Sequence, residues 1–127
     1  MKKLIITTLL IVLSFESISA STQPHLTKAT TSLKKSGVSV FCKLITTGNY
    51  AVVKVMIENG TDINKKSTGL TPLMFAARYN RAKIAQLLID NGAKLTVKSD
   101  NGYTAIEYAK MSKANDALAV LKKALKK

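Results

Sequence analysis

The chain has one cysteine, one histidine and no tryptophan in 127 residues. A lone cysteine makes no internal disulfide, so the fold is held by packing. The clustered Cys and His ligands of a structural metal site are missing. His25 lies in the Ser/Thr/Lys-rich linker, so a Cys42–His25 nucleophilic pair would need that linker pinned over the first helix, and no third orienting group stands out. A glycine-rich phosphate loop is also missing. Asp62 and Asp90 are isolated carboxylates, and Asp100-Asn101-Gly102 has the composition of a turn rather than the alternating acids of a calcium loop. The sequence therefore reads as a non-enzyme without cofactor or metal. Cys42 lies on an apolar helical face and reads as a buried, inert thiol.

Acidic residues are also scarce: 7 Asp plus Glu against 20 Lys plus Arg. Long apolar runs are limited to Leu4–Leu13, which follows Met1-Lys2-Lys3 and precedes Ser14-Phe15-Glu16-Ser17-Ile18-Ser19-Ala20. Basic, then apolar, then small and polar is the order of a secretory signal peptide. The run is shorter than the roughly 20 residues of a spanning helix, which disfavours the alternative of an uncleaved anchor. Residues 1–20 are thus expected to be a signal peptide, cut after Ala20 or, second, after Ser19. Removing Lys2, Lys3 and Glu16 leaves 18 basic and 6 acidic residues, a net +12. That charge favours anionic partners, either an acidic protein face or a polyanion such as nucleic acid, glycan or lipid head groups. The basic residues are scattered except for Lys122–Lys127, which argues against a dedicated nucleic-acid surface. A short basic start and no disulfides suit a periplasmic or secreted bacterial protein.

What the chain does have is a repeat. Gly69-Leu70-Thr71-Pro72-Leu73-Met74-Phe75-Ala76-Ala77 returns 33 residues later as Gly102-Tyr103-Thr104-Ala105-Ile106-Glu107-Tyr108-Ala109. A fixed period of that length marks stacked helix pairs. Thr71-Pro72 is a helix start, the hydroxyl capping free N–H groups and proline suiting the first turn. Val52, Val53, Met56 and Ile57 recur as Ile84, Ala85, Leu88 and Ile89, one apolar face of a second helix. Gly60 and Gly92 close these helices by way of a left-handed residue. They stand 32 apart and not 33, because the first connecting turn is one residue shorter. Residues 21–38 read as a linker or a short helix around Leu26–Lys35, packed on the first unit.

At these residues the chain resembles the ankyrin repeat family, over about residues 39–125. The resemblance implies an all-α solenoid of about three helix-turn-helix repeats, 39–66, 67–99 and 100–125, with β-hairpin-like fingers. The family's histidine after Thr-Pro-Leu is replaced by Cys42, Met74 and Glu107. Its glycine between the helices is kept as Gly48 but becomes Asn80 and Lys113, and lysine accepts a left-handed conformation poorly. Three repeats are near the minimum for a stable stack, so fraying is expected in the weak last unit.

The resemblance also implies protein binding through the finger tips and the concave face of the first helices. Carried over, the finger positions are Lys65, Lys66, Leu70, Lys98 and Tyr103. The concave positions are Lys43, Thr46, Phe75, Arg78, Tyr79, Tyr108 and Met111. Phe75 and Tyr108 occupy equivalent positions one repeat apart. They form either a binding hot spot or a packed pair across the repeat junction.

Overall fold

The computed structural model describes residues 37–127. The expected signal peptide and the stretch that precedes Gly37 lie outside the described residues. Six helices follow one another: α1 (Val40–Thr47), α2 (Tyr50–Glu58), α3 (Pro72–Arg78), α4 (Ala82–Asp90), α5 (Ala105–Met111) and α6 (Asn115–Leu125). They form three antiparallel pairs. The first helices, α1, α3 and α5, pack in one row and the second helices, α2, α4 and α6, in another. No long strand intervenes among the described residues. The all-α repeat solenoid is the architecture observed.

Each first helix starts on a side-chain cap, but the three caps differ chemically. Ser39 accepts from the backbone N–H of Cys42 at 3.2 Å. Thr71 accepts from Met74 N–H at 3.3 Å, and the Met74 sulfur accepts from Thr71 N–H at 3.4 Å. In the third repeat the Glu107 carboxylate accepts from Thr104 N–H at 2.7 Å and from its hydroxyl at 3.0 Å. These occupants of the usual histidine position thus tie the helix start instead, a weak sulfur acceptor in one repeat and a charged one in the next.

The Thr104 hydrogen bonds, backbone first, hold the Glu107 carboxyl below its ordinary value, with Lys98 and Lys110 adding a smaller pull. A carboxylate lowered on folding stabilises fully above the usual carboxylate range. It stops doing so as pH falls through its own, lower, value. Urea midpoints of the parent and Glu107→Gln should therefore differ at neutral pH and converge in acid.

All three junctions between paired helices use a left-handed residue. Gly48 has φ 77°, and Asn80 and Lys113 both have φ 54°. Lys113 therefore accepts the conformation that its type disfavours, because the turn between α5 and α6 demands it. Its side chain is exposed, so nothing is lost by removing it. Left-handed strain of about 1–2 kcal/mol, less the extra freedom glycine has when unfolded, gives a net gain of about 0.5–1 kcal/mol. Lys113→Gly should raise the thermal midpoint by about 4 °C, read by circular dichroism.

The two fingers differ in turn type, which explains the missing residue. In the first, Ser67 and Leu70 exchange both backbone hydrogen bonds around Thr68-Gly69, whose φ values are 50° and 83°. Two positive φ values in a two-residue loop match a type I′ hairpin turn. In the second, Ser99 N–H bonds Tyr103 C=O across the three-residue loop Asp100-Asn101-Gly102, with Gly102 alone at positive φ, 85°. The β-hairpin character is slight: among the described residues it reduces to the single Ser67–Leu70 bridge.

The core runs the length of the stack. Ile45, Val53, Ala76, Ala77, Ala85, Leu88, Ala109 and Ala117 are fully covered. The paired alanines bring first helices close together. The last unit is well seated, since α6 buries Ala117 and Leu121 and continues to Leu125.

Candidate binding surface

The repeats are joined by polar ties that position the exposed ends of the first helices. Arg81 reaches back from the start of α4 to the C-terminal end of α1. Its Nε and Nη2 both donate to Thr46 C=O, at 3.0 and 2.8 Å. Asn80 donates to Asp116 at 3.3 Å and accepts from Ala117 N–H at 3.0 Å. Asn64 links the fingers, donating to Gly92 C=O at 3.2 Å and accepting from Lys94 N–H at 2.9 Å. Asp100 N–H bonds Gly69 C=O at 3.0 Å. Each tie spans two neighbouring repeats, so the surface is held repeat by repeat.

Onto this frame the sequence-selected positions fall in two groups. Lys43, Arg78, Tyr79, Tyr103 and Met111 are exposed. Thr46, Arg78 and Met111 hold the same repeat position on α1, α3 and α5, three helices packed in order. Tyr79, directly after Arg78, leaves 47 % of its surface open, and Met111 54 %. Thr46 is half-buried, its hydroxyl donating to Lys43 C=O at 2.7 Å. The finger lysines Lys65, Lys66 and Lys98 are also exposed, with Lys66 paired to Asp100 at 3.1 Å. An exposed pair of this kind is worth little in stability.

The second group is a correction. Leu70, Phe75 and Tyr108 are interior, with Phe75 6 % and Tyr108 8 % exposed. Both rings are covered, and the ring that meets Tyr108 edge-on is Tyr103 and not Phe75. The Tyr108 hydroxyl donates to Ser99 Oγ at 2.9 Å, which ties α5 to its finger. The Tyr103 ring meets Tyr108 in a T-shaped arrangement, centroids 5.9 Å apart and planes at 77°. Quadrupoles favour that edge-on geometry. Tyr103 is therefore the exposed member of an aromatic pair whose other ring is anchored below it.

Sequence reasoning missed Arg81, Ser67 and Ser99, which build the frame. Ser67 Oγ accepts from Ser39 N–H at 2.7 Å, and Ser99 Oγ from Tyr103 N–H at 3.2 Å. One signal was available: in each finger a serine stands seven residues after the helix-closing glycine, just before the turn. Arg81 carried no such signal, since its counterparts are Asn49 and Ala114.

Burial pushes the Cys42 thiol up, opposed by hydrogen bonds with Ser39 and Ser67. A protonated, covered thiol is a poor nucleophile. A cavity of about 470 Å³ opens between the start of α1 and the first finger, lined by Val38, Phe41, Thr61, Asp62 and Lys66 among others. Among the described residues, no three His, Cys, Asp or Glu side chains come together as metal ligands. No described helix is long and apolar enough to cross a membrane.

Comparison with known proteins agrees with the repeat geometry. The family model for ankyrin repeats (3 copies) matches residues 20–99 and 39–126. Dauer abnormal formation protein 25 of Caenorhabditis elegans is 35 % identical over 88 residues, 68 % of this chain and 23 % of that protein. A putative ankyrin repeat protein of Rickettsia bellii is 36 % identical over 85 residues, 59 % of this chain and 51 % of that one. A putative ankyrin repeat protein of fowlpox virus is 41 % identical over 66 residues, 48 % of this chain and 19 % of the viral protein. The chain spans about half or less of the length of these relatives. Ankyrin repeats generally mediate protein–protein interaction and are typically non-enzymatic. The period, the capped first helices and the family match agree: this chain belongs to the ankyrin repeat family.

Proposed function

We propose that this chain is a non-enzymatic binding module that takes an acidic protein partner on the exposed ends of its first helices and on the second finger. The observation that carries the reading is the exposed group Arg78, Tyr79, Met111 and Tyr103, with Lys43 on the neighbouring helix. Aromatics and arginine are enriched among residues that dominate binding energy. Inter-repeat ties such as Arg81 to Thr46 C=O hold the repeats that carry them in fixed register, which lowers the ordering cost of binding. The net +12 beyond Ala20 favours an acidic surface opposite and speeds encounter. We also propose export, with residues 1–20 removed as a signal peptide and the module acting in the periplasm or outside the cell.

The test is capture from periplasmic extract with residues 21–127, washed at low and then high salt. A Tyr79→Ala/Met111→Ala double variant is run in parallel, with circular dichroism to establish that it folds. The proposal expects a stoichiometric protein that survives high salt and is lost in the folded double variant. Retention by the variant, or anionic material that washes off with salt, overturns it and leaves polyanion binding as the better account.

A further inference from the structure

The turn Asp100-Asn101-Gly102 contains a reactive pair that the binding surface does not use. Three of the seven asparagines are followed by glycine: Asn59, Asn91 and Asn101. In such a pair the glycine nitrogen can attack the side-chain carbonyl carbon of the asparagine, because no Cβ on the second residue obstructs the approach. Access does not separate the three pairs. All three asparagines are exposed, and a Cβ added at Gly60, Gly92 or Gly102 would meet nothing within 4 Å. The backbone does separate them. Asn59 and Asn91 close α2 and α4 with ψ angles of 9° and 15°. The reacting atoms come into contact only after ψ leaves that range. Each is pinned there by two bonds back to its helix, the pairing of a Schellman cap. Gly60 N–H bonds Ile57 C=O and Thr61 N–H bonds Met56 C=O, both at 3.0 Å. Gly92 N–H bonds Ile89 C=O at 3.1 Å and Ala93 N–H bonds Leu88 C=O at 2.9 Å. The Asn91 amide is held as well, donating to Leu87 C=O at 2.8 Å. Asn101 has no helix behind it. It is the middle residue of an exposed three-residue loop, where Gly102 N–H bonds Ser99 C=O at 2.9 Å. That loop opens without unwinding a helix end, and surface loops are among the least costly parts of a fold to open.

We propose that Asn101 is a self-modification site of the native protein, at which the side-chain amide is lost to water. The Gly102 nitrogen gives its proton to solvent base and bonds to Asn101 Cγ. The Cγ–Nδ2 bond breaks, and the nitrogen takes a proton from water and leaves as ammonia. The product is a five-membered succinimide. Water then opens the ring at either carbonyl, leaving aspartate or isoaspartate at position 101. The balance is asparagine plus water to a carboxylic acid plus ammonia, with no oxidant or reductant. The second finger gains a negative charge between Asp100 and the Gly102-Tyr103 step. The consequence for binding rests on the reading of this surface as a site for an acidic partner: a new carboxylate on the finger repels what the site takes, so binding fades as the chain ages.

The experiment holds residues 21–127 in mildly alkaline buffer, native and in urea, and follows each pair by peptide mapping. Trypsin cuts after Lys and Arg and so puts the three pairs in separate peptides, residues 55–65, 84–94 and 99–110. Mass spectrometry counts the conversion in each, and enzymatic methylation counts the isoaspartate. In urea all three should convert at similar rates. In the native protein Asn101 should stay within about threefold of its unfolded rate, while Asn59 and Asn91 slow by about tenfold or more. Asn101→Gln, whose longer side chain closes the ring far more slowly, should abolish the native signal and leave the circular dichroism unchanged. Protection of Asn101 equal to that of Asn59 and Asn91, or earlier conversion at either helix end, overturns the proposal. This readout needs no partner, so its failure is distinct from a failure of the binding reading. Capture from periplasmic extract by the aged parent and the aged Asn101→Gln variant then tests the consequence: the parent should lose its partner and the variant keep it, and equal loss overturns the argument from charge.

Discussion

Tyr108→Ala should unfold much of the protein, whereas Tyr108→Phe should only weaken it. The ring is buried between α5 and its finger and is met edge-on by Tyr103. Large-to-small changes of buried aromatics cost about 3–5 kcal/mol. A small domain holds a total of about 5–15 kcal/mol, and three repeats are near the minimum for a stack. Removing the hydroxyl alone loses one hydrogen bond, about 0.5–1.5 kcal/mol, and Ser99 Oγ keeps its bond from Tyr103 N–H. Urea denaturation of the two variants measures both values. Similar midpoints for parent and alanine variant would contradict the buried placement. The consequence for binding experiments is direct: loss of a partner in Tyr108→Ala reports lost folding, so recognition has to be read from Tyr79, Tyr103 and Met111.

Leu88→Ala should be the more damaging of two equivalent leucine truncations. Leu88 on α4 and Leu121 on α6 share one repeat position and are 0 % and 1 % exposed. Transfer and cavity effects alone would cost about 2.7–5 kcal/mol at each. In a stack each repeat contacts only its neighbours. A lesion in α4 weakens its packing on both α2 and α6, while one in α6 weakens only the packing on α4 and its own repeat. Leu88→Ala is expected to lower the urea midpoint in a single transition. Leu121→Ala is expected to broaden it, because the last repeat opens before the rest. A broadened transition appears as a reduced apparent m value. Equal midpoints and equal slopes would mean that the three repeats unfold as one unit.

Some features are legible in the residues alone because they depend on neighbours in sequence. Thr71 caps α3 and Thr104 starts α5, Gly60 and Gly92 take positive φ, and the match of Val52–Ile57 to Ile84–Ile89 points to both second helices. The finger lengths are countable, yet their turn types are not. The one-residue difference predicts that the loops differ, but Thr68 at φ 50° is a choice that a β-branched residue makes only under a tight two-residue closure.

The binding positions are legible as register and illegible as exposure. Lys43, Phe75 and Tyr108 hold one repeat position, and periodicity treats them alike. The structure leaves Lys43 open and covers the two rings, because burial depends on what the adjacent repeat and finger place overhead. Arg81 shows the same division at longer range. Its guanidinium meets Thr46 C=O across 35 residues of sequence, a contact that no local pattern encodes. Period, caps and turn glycines are backbone preferences within a few residues, so the chain carries them wherever it goes. Which aromatics face solvent and which carbonyls an arginine finds depend on repeats meeting in space, and only the tertiary structure decided them.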